Sequence, residues 1–362
     1  MGSSLASCLA PSIAAAPPRV TTRNRPRWTR ISQPVHLRPS GRKPIRQAST
    51  VRLVGDVGGT NCRFALVDPA SDRPSLSGTE AFEIDAFPSL EAAIDRFLAG
   101  RKADEAVIAV AGPVDDGRAS LTNGHWDMSE AALKARGFTA ARLINDYEAL
   151  ALAIPRLTPE DFGDLGGPAQ GEPNGTIAIL GAGTGLGVGA LVRNGGQSAV
   201  AVTEGGHIAF APTDELEINI LRRMTARFGR VSLERILSGP GLVWLYEALA
   251  DIRGAMAENL EPEDVSKRAQ AGDALCEETL DRFCRIYGAA AGDYALAFGA
   301  VGGVYLGGGI APKMLDRLRA SDFRKAFEAK GRFADYCAAI PTRVILHPYA
   351  ALLGAAAASV EE

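Results

Sequence analysis

The sequence predicts an α/β protein with two similar α/β domains facing each other, and three observations predict it. A strand, a glycine turn and a returning strand open the ordered chain, and the same unit recurs about 126 residues later. A third glycine cluster joins an apolar strand to a helix. The length, 362 residues with 46% hydrophobic, also exceeds what one core of ~250–300 residues holds.

The first unit starts near Val51. Arg52 to Val57 reads as a strand, Gly58, Gly59, Thr60 and Asn61 as a tight turn, and Cys62 to Asp68 as the returning strand with Phe64, Leu66 and Val67 apolar. In the second unit Thr176 to Leu180 is a strand, Gly181, Gly183 and Gly185 form the turn around Thr184, and Leu186 to Val192 returns. Aligning Val54-Gly55-Asp56 with Leu180-Gly181-Ala182 puts Thr60 near Thr184. Glycine permits φ > 0 and removes the Cβ that would block a ligand. Successive N–H groups in such a turn can converge on an anion, and threonine adds a donor. One glycine hairpin is equally a plain structural turn; two matched copies favour phosphate binding.

Other phosphate motifs do not fit. Neither turn has the lysine of a Walker loop, and position 186 is leucine where the dinucleotide fingerprint needs glycine. The third cluster, Gly307, Gly308 and Gly309, follows the apolar run Val301 to Leu306 and precedes a helix expected near Ala311. It allows close approach of a ring or phosphate, or serves only as a tight connection.

Several polar residues stand at element ends. Asn145-Asp146 follows the short strand Arg142 to Ile144 and precedes a helix with Tyr147, Leu150 and Leu152 on its apolar side. Asp146 reads either as the helix N-cap or as a carboxylate facing a cleft that takes a proton from a substrate hydroxyl. Glu204-Gly205-Gly206-His207 precedes an expected strand at Ile208 to Ala211, and Glu204 and His207 are suited to vicinal hydroxyls. Val231 to Gly241 reads as a short helix closed by glycines, with Glu234 either solvated or a hydroxyl acceptor. Thr122-Asn123-Gly124-His125-Trp126 is a polar turn whose tryptophan covers a ligand or packs.

Bulk properties narrow the partners. Residues 1–50 hold nine of the 39 basic residues and no acidic ones, which leaves 30 basic against 42 acidic, a net of −12, for the rest. So acidic a body argues against nucleic acid as partner. No apolar run reaches the ~20 residues of a membrane span, and Ala350 to Val360 reads as a packed helix. The basic head reads as a disordered extension, an organelle transit peptide or a misplaced start. The five cysteines show no zinc or CxxC pattern and read as buried free thiols.

Together the motifs Gly55-Asp56-Val57-Gly58-Gly59-Thr60-Asn61, Thr122-Asn123 with Trp126, Ile144-Asn145-Asp146, Gly181 to Gly187, Glu204 to His207, Leu237 to Gly241 and Gly307 to Ile310 resemble the bacterial-type glucokinases of the hexokinase and actin-like superfamily. The match runs from about Val51 to the C-terminus. It implies an actin-like/hexokinase fold with a cleft: residues 51–156 as a small domain joined by the returning helix 348–362, and 157–347 as a large one. It implies an ATP-dependent hexose phosphotransferase that moves the γ-phosphate of ATP to the 6-hydroxyl of glucose. Asp146 is then the base, and Asn123, Asn145, Glu204, His207 and Glu234 join it as sugar ligands. Gly58, Gly59, Thr60 and Asn61 hold the transferred phosphate, with Asp56 near Mg²⁺ through water. Gly181, Gly183, Thr184 and Gly185 hold the other phosphates, and Gly307, Gly308 and Gly309 lie against the adenosine. The resemblance also implies a cytoplasmic homodimer. The alternatives are a kinase for another hexose, a non-catalytic sugar sensor and an actin-like ATPase.

Overall fold

The computed structural model describes residues 50–71, 74–121, 125–194 and 196–360. The readings of the basic head, of Cys8 and of Thr122 to Gly124, Asn123 included, lie outside the described residues. No helix among those described is long and apolar enough to cross a membrane.

The first half of the chain makes one sheet. β1 (Arg52–Val57) turns into β2 (Asn61–Val67), and β3 (Ser77–Glu83) follows. After α1 (Leu90–Leu98) come β4 (Glu105–Val110), the short pair β5 (Arg118–Ser120) and β6 (Asp127–Ser129), and α2 (Glu130–Ala135). β7 (Ala140–Asn145) then runs straight into α3 (Asp146–Ala153). The sheet order is β3-β2-β1-β4-β7. β1 is antiparallel to β2 and parallel to β4, and β4 is parallel to β7.

The second half repeats the plan. β8 (Phe162–Gly166), β9 (Ile177–Ala182), β10 (Leu186–Asn194) and β11 (Gln197–Thr203) precede the helices α4 (Glu215–Phe228), α5 (Gly239–Arg253), α6 (Pro262–Gln270) and α7 (Ala274–Phe298). β12 (Gly303–Gly307) leads through α8 (Ile310–Lys313), α9 (Leu315–Ala320), α10 (Phe323–Glu328) and α11 (Ala334–Ala338) to β13 (Thr342–Ile345) and α12 (Ala350–Ala357). The order is β11-β10-β9-β12-β13-β8. Laid over the first sheet, every strand of that sheet finds a counterpart, and only β8 is extra. β9 is antiparallel to β10 and parallel to β12, just as β1 is to β2 and β4. The repeat read in the sequence is therefore a repeat of topology.

The runs that form the parallel strands are apolar because both faces are covered. β4 (EAVIAV) and β9 (IAILGA) are buried almost throughout. A core cluster shared by both halves joins Val54 and Val107 to Ile179, Leu191 and Ile345 through α3 and α12. α12 carries no charge, as befits a helix buried on most sides. Its carbonyls end on arginines: Arg52 donates to Ala356 O (3.0 Å) and Ala358 O (2.8 Å), and Arg142 to Ser359 O (2.9 Å). Gly354 lets α12 approach α3 closely, since a Cβ there would stand 1.7 Å from Ala149 O. The cysteines at 62, 276, 284 and 337 are free and buried.

Two sequence expectations are corrected, and one open alternative is decided. Ile208 to Ala211 forms no strand; a single 3₁₀ turn covers Gly205–His207, and only Ala209 bridges, to Ser232. Val231 to Gly241 is not a short helix closed by glycines. It winds through turns, and Gly239-Pro240-Gly241 instead open α5, where the Ser238 side chain caps Gly241 N and proline suits the first turn. Trp126 is no exposed cover: it is 1% exposed and donates from its indole to Phe87 O at 3.0 Å.

Candidate active site

Parallel register places the acidic residues at one sheet edge. Asp56 is level with Ala109 on β4, which is level with Ile144 on β7. One strand lies between, so their Cα atoms are ~10 Å apart. Asp146 follows one residue past the end of β7. The chain turns there because Asn145, not Asp146, is the cap of α3. Its Oδ1 accepts from Tyr147 N (2.9 Å) and its Nδ2 donates to Gly112 O (3.0 Å). The capping alternative for Asp146 thus falls to its neighbour.

Asp146 accepts from Tyr147 N (3.0 Å), and the Asn145 side chain also hydrogen-bonds to it. Burial first, then the negative charge of Asp56, push its carboxyl up to about 7 against backbone N–H bonds that pull the other way. Burial also raises Asp56, opposed by Arg63, whose Nη1 lies 3.3 Å from Asp56 Oδ2. A buried carboxyl held near neutrality with a second buried carboxylate nearby forms a poised site for proton transfer or for a cation.

The first turn projects outward. Gly58 N donates to Asn61 O (2.9 Å), and Ile84 N to Thr60 O (2.9 Å), while Gly59, Thr60 and Asn61 are exposed. The glycines at 58, 181, 183 and 185 do not use the left-handed backbone that the sequence reading allowed them. In the second turn the missing Cβ matters instead. A Cβ on Gly187 would stand 1.8 Å from Tyr147 Cε2, and one on Gly185 would stand 2.5 Å from Glu234 Oε2. Only Gly308 of the third cluster is left-handed (φ 74°), pressed against Ala182 O. Gly309 N lies 3.9 Å from where a Gly183 Cβ would be, so the second and third glycine clusters meet. Thr184, Gly308 and Gly309 are exposed, and Gly307 is buried in β12. Gly239 N donates to Gly183 O (2.8 Å), which sets the positive N-terminal end of α5 beside the same turn.

Glu204, His207 and Glu234 come together. His207 Nε2 is 3.8 Å from Glu204 Oε2, and its Nδ1 is 3.7 Å from Glu234 Oε1. The side chains are 48%, 56% and 31% exposed, open to a polar ligand. Glu234 also accepts from Leu186 N (2.9 Å), which ties this trio to the second turn.

Tyr147 is the contact within the candidate site that sequence reasoning missed. Its buried hydroxyl donates to Gly181 O (2.7 Å), and its titration is held up by burial and by the charges of Asp146 and Glu234. It therefore links the helix that begins at Asp146 to the second glycine turn. From the other side Tyr287 donates to Leu180 O (3.3 Å) and accepts from Ala182 N (3.3 Å). The partners are 34 residues or more apart, so no local pattern announces them. The glycine at 187, one beyond what the turn needs, was the available signal. Tyr147→Phe is expected to lower kcat several-fold with little change in substrate KM, since one hydrogen bond of ~0.5–1.5 kcal/mol is lost away from the Glu204, His207 and Glu234 trio. Steady-state kinetics on the variant check this.

Among the described residues no group of three His, Cys, Asp or Glu could by itself hold a metal. A carboxylate such as Asp56, whose Oδ2 pairs with Arg63, fits a cation that arrives with phosphates, since Mg²⁺ commonly takes one or two carboxylates and keeps its waters.

Comparisons with known proteins identify the family. The glucokinase family model matches residues 53–362. A glucokinase of Caulobacter sp. (strain K31) is 50% identical over 310 residues, 84% of this chain and 94% of the relative. One from Xanthomonas campestris pv. campestris (strain B100) is 44% identical, over 85% and 95%. The crystal structure of a glucokinase from an Antarctic psychrotroph superposes with a TM-score of 0.79 at 38% identity, covering 86% of this chain and 98% of that one. With its paired sheets, its strand-end aspartate and its extensive likeness to these proteins, the chain belongs to the glucokinase family.

Proposed function

We propose that this protein transfers the γ-phosphoryl group of ATP to the 6-hydroxyl of D-glucose. The observation that carries the reading is Asp146: a mostly buried carboxyl, poised near neutrality, joined through Tyr147 to the second glycine turn and so to Glu234 and its trio. Family membership supplies the substrates.

In this reading Glu204, His207 and Glu234 bind sugar hydroxyls together with Asn145, and the family resemblance alone adds Asn123 as a further sugar ligand. Asp146 takes the proton from the 6-hydroxyl as its oxygen attacks phosphorus. Positioning and charge stabilisation do most of the work in phosphoryl transfer. The first turn, Gly58 to Asn61, faces the transferred phosphate. The second, Gly181 to Gly185, holds the remaining phosphates with the α5 N-terminus, and Gly307 to Gly309 face the adenosine. Asp56 would hold Mg²⁺ through water; that ion supplies neutralisation of phosphate charge. Residues 51–156 with 348–362, and 157–347, act as two domains that close on the substrates and exclude water. The homodimer and the cytoplasmic location rest on the family resemblance.

A coupled assay with Mg-ATP, a panel of hexoses and a no-sugar control tests the function. Turnover with glucose is expected; ATP hydrolysis indifferent to sugar overturns the reading. Glu204→Ala is expected to raise glucose KM roughly tenfold or more, because the hydroxyl it binds loses a partner worth ~1–3 kcal/mol. An unchanged KM removes Glu204 from the sugar site. The kcat/KM profile should fall below pH 7, as protonation of Asp146 removes the base. A profile flat from pH 5.5 to 8 contradicts the assignment.

A further inference from the structure

A cavity of about 240 Å³ lies away from the candidate active site, between the turn that ends α3, the β10–β11 hairpin, the loop at Pro173-Asn174 and the end of α12. Arg156 and Arg193 both line it. Each spends one N–H on a backbone carbonyl: Arg156 on Leu152 O (2.8 Å) and Arg193 on Pro173 O (3.3 Å). Neither forms an ion pair with a carboxylate among the described residues, whereas Arg52, Arg142, Arg282 and Arg324 all do. Burial pulls both guanidinium groups below their ordinary value, Arg193 against an opposing influence from Tyr305. The rest of the chain beyond residue 50 has an acidic surplus of twelve. A surplus of acids with none placed beside two half-buried cations leaves both charges to be answered from outside.

We propose that this cavity binds a small organic anion, a phosphate or carboxylate on a compact body, held between Arg156 and Arg193. Guanidinium forks recognise both oxyanions in bidentate fashion. Leu152 and Leu191 form an apolar wall for the body, and Gln197 offers an amide to a hydroxyl. The volume lies below the ~300–1,000 Å³ typical of drug-sized ligands, which favours a compact anion over a nucleotide.

The placement gives the site a connection to catalysis. Arg156 lies ten residues after Asp146 along α3 and its following turn, and Arg193 six residues after Gly187 on β10. At helix and strand rises those are spans of ~15–20 Å. A bound anion fastens together the far ends of the two segments that Tyr147 joins near the base.

The test is titration calorimetry on the full chain, with glucose and a non-hydrolysable ATP analogue filling the active site so that anions cannot compete for the phosphate turns. The probes are glycerol 3-phosphate, malonate and inorganic phosphate at matched ionic strength. At least one organic probe is expected to bind, and to bind tenfold or more weakly in Arg156→Gln and in Arg193→Gln. Arg156→Lys should retain most of the binding, and glucose turnover without added anion should stay within twofold in all three variants. Which organic probe binds assigns phosphate or carboxylate. Inorganic phosphate binding as tightly as either organic probe overturns the organic part of the proposal. No binding by any probe, or equal binding in the folded glutamine variants, overturns the site.

Discussion

Asp146→Asn is expected to bind glucose normally and to lose at least ~10²–10⁴-fold in kcat, the usual contribution of a positioned base. The substitution is nearly isosteric. Its amide oxygen can still accept from Tyr147 N, so the α3 elbow should persist. What disappears is the ability to take a proton. Calorimetry for glucose and coupled kinetics separate the two: normal affinity with collapsed turnover fits a base, and near-normal kcat excludes one. The same variant has a signature in stability. The folded chain holds the Asp146 carboxyl at about 7 against an ordinary 3.8. Between those values the folded state binds the extra proton, so stability declines as pH rises and the loss is complete above about 7. That loss is at most about 4 kcal/mol. Asn is neutral throughout and avoids it. Asp146→Asn should therefore melt higher than the native sequence at pH 8, with the gap narrowing toward pH 4. Scanning calorimetry at both pH values is the measurement, and equal melting at pH 8 would mean that burial does not strain this carboxylate.

Gly354→Ala should be strongly destabilising for so small a change. The added methyl would meet the carbonyl oxygen of Ala149 at 1.7 Å, far inside contact, and that oxygen belongs to helix backbone. The two helices must move apart. Overpacking costs typically ~1–3 kcal/mol and sometimes more, and this case belongs at the upper end because no side chain can rotate away. A fall in Tm of roughly 5–10 °C is expected. Because α3 begins at Asp146, some loss of kcat should accompany it even well below the melting point. A variant that melts within a degree of the native chain would show that α3 and α12 do not cross this closely.

The parts of this molecule legible in its sequence are those fixed by short-range constraints. Arg52 to Val57 and the glycine turn after it are written in consecutive residues, and their copy at Ile177 confirms the topology. Asn145-Asp146 is legible because a strand end and a helix start leave little freedom for the residues between. Contacts across the sequence were not. Glu234 reaches Leu186 N, 48 residues away, and nothing near Glu234 distinguishes it from a solvated side chain. Val231 to Gly241 misled because Gly-Pro-Gly ends a helix as readily as it starts one. Its role was decided by Ser238 and by the docking of Gly239 on Gly183. Trp126 was undecided for the same reason: the carbonyl it donates to belongs to Phe87.

The buried thiols have a practical use. Burial pushes Cys62 and Cys276 up to about 11 and Cys284 to about 12, and raises Cys337. The thiolate is the reactive form, so alkylation must wait for the chain to open. Cys62 packs in the core of the first sheet, and the other three in the core of the second half. In a Cys8→Ser background, modification rates at the four positions become separate clocks for the breathing of each half. Adding glucose or nucleotide should slow each clock according to how firmly that half is gripped.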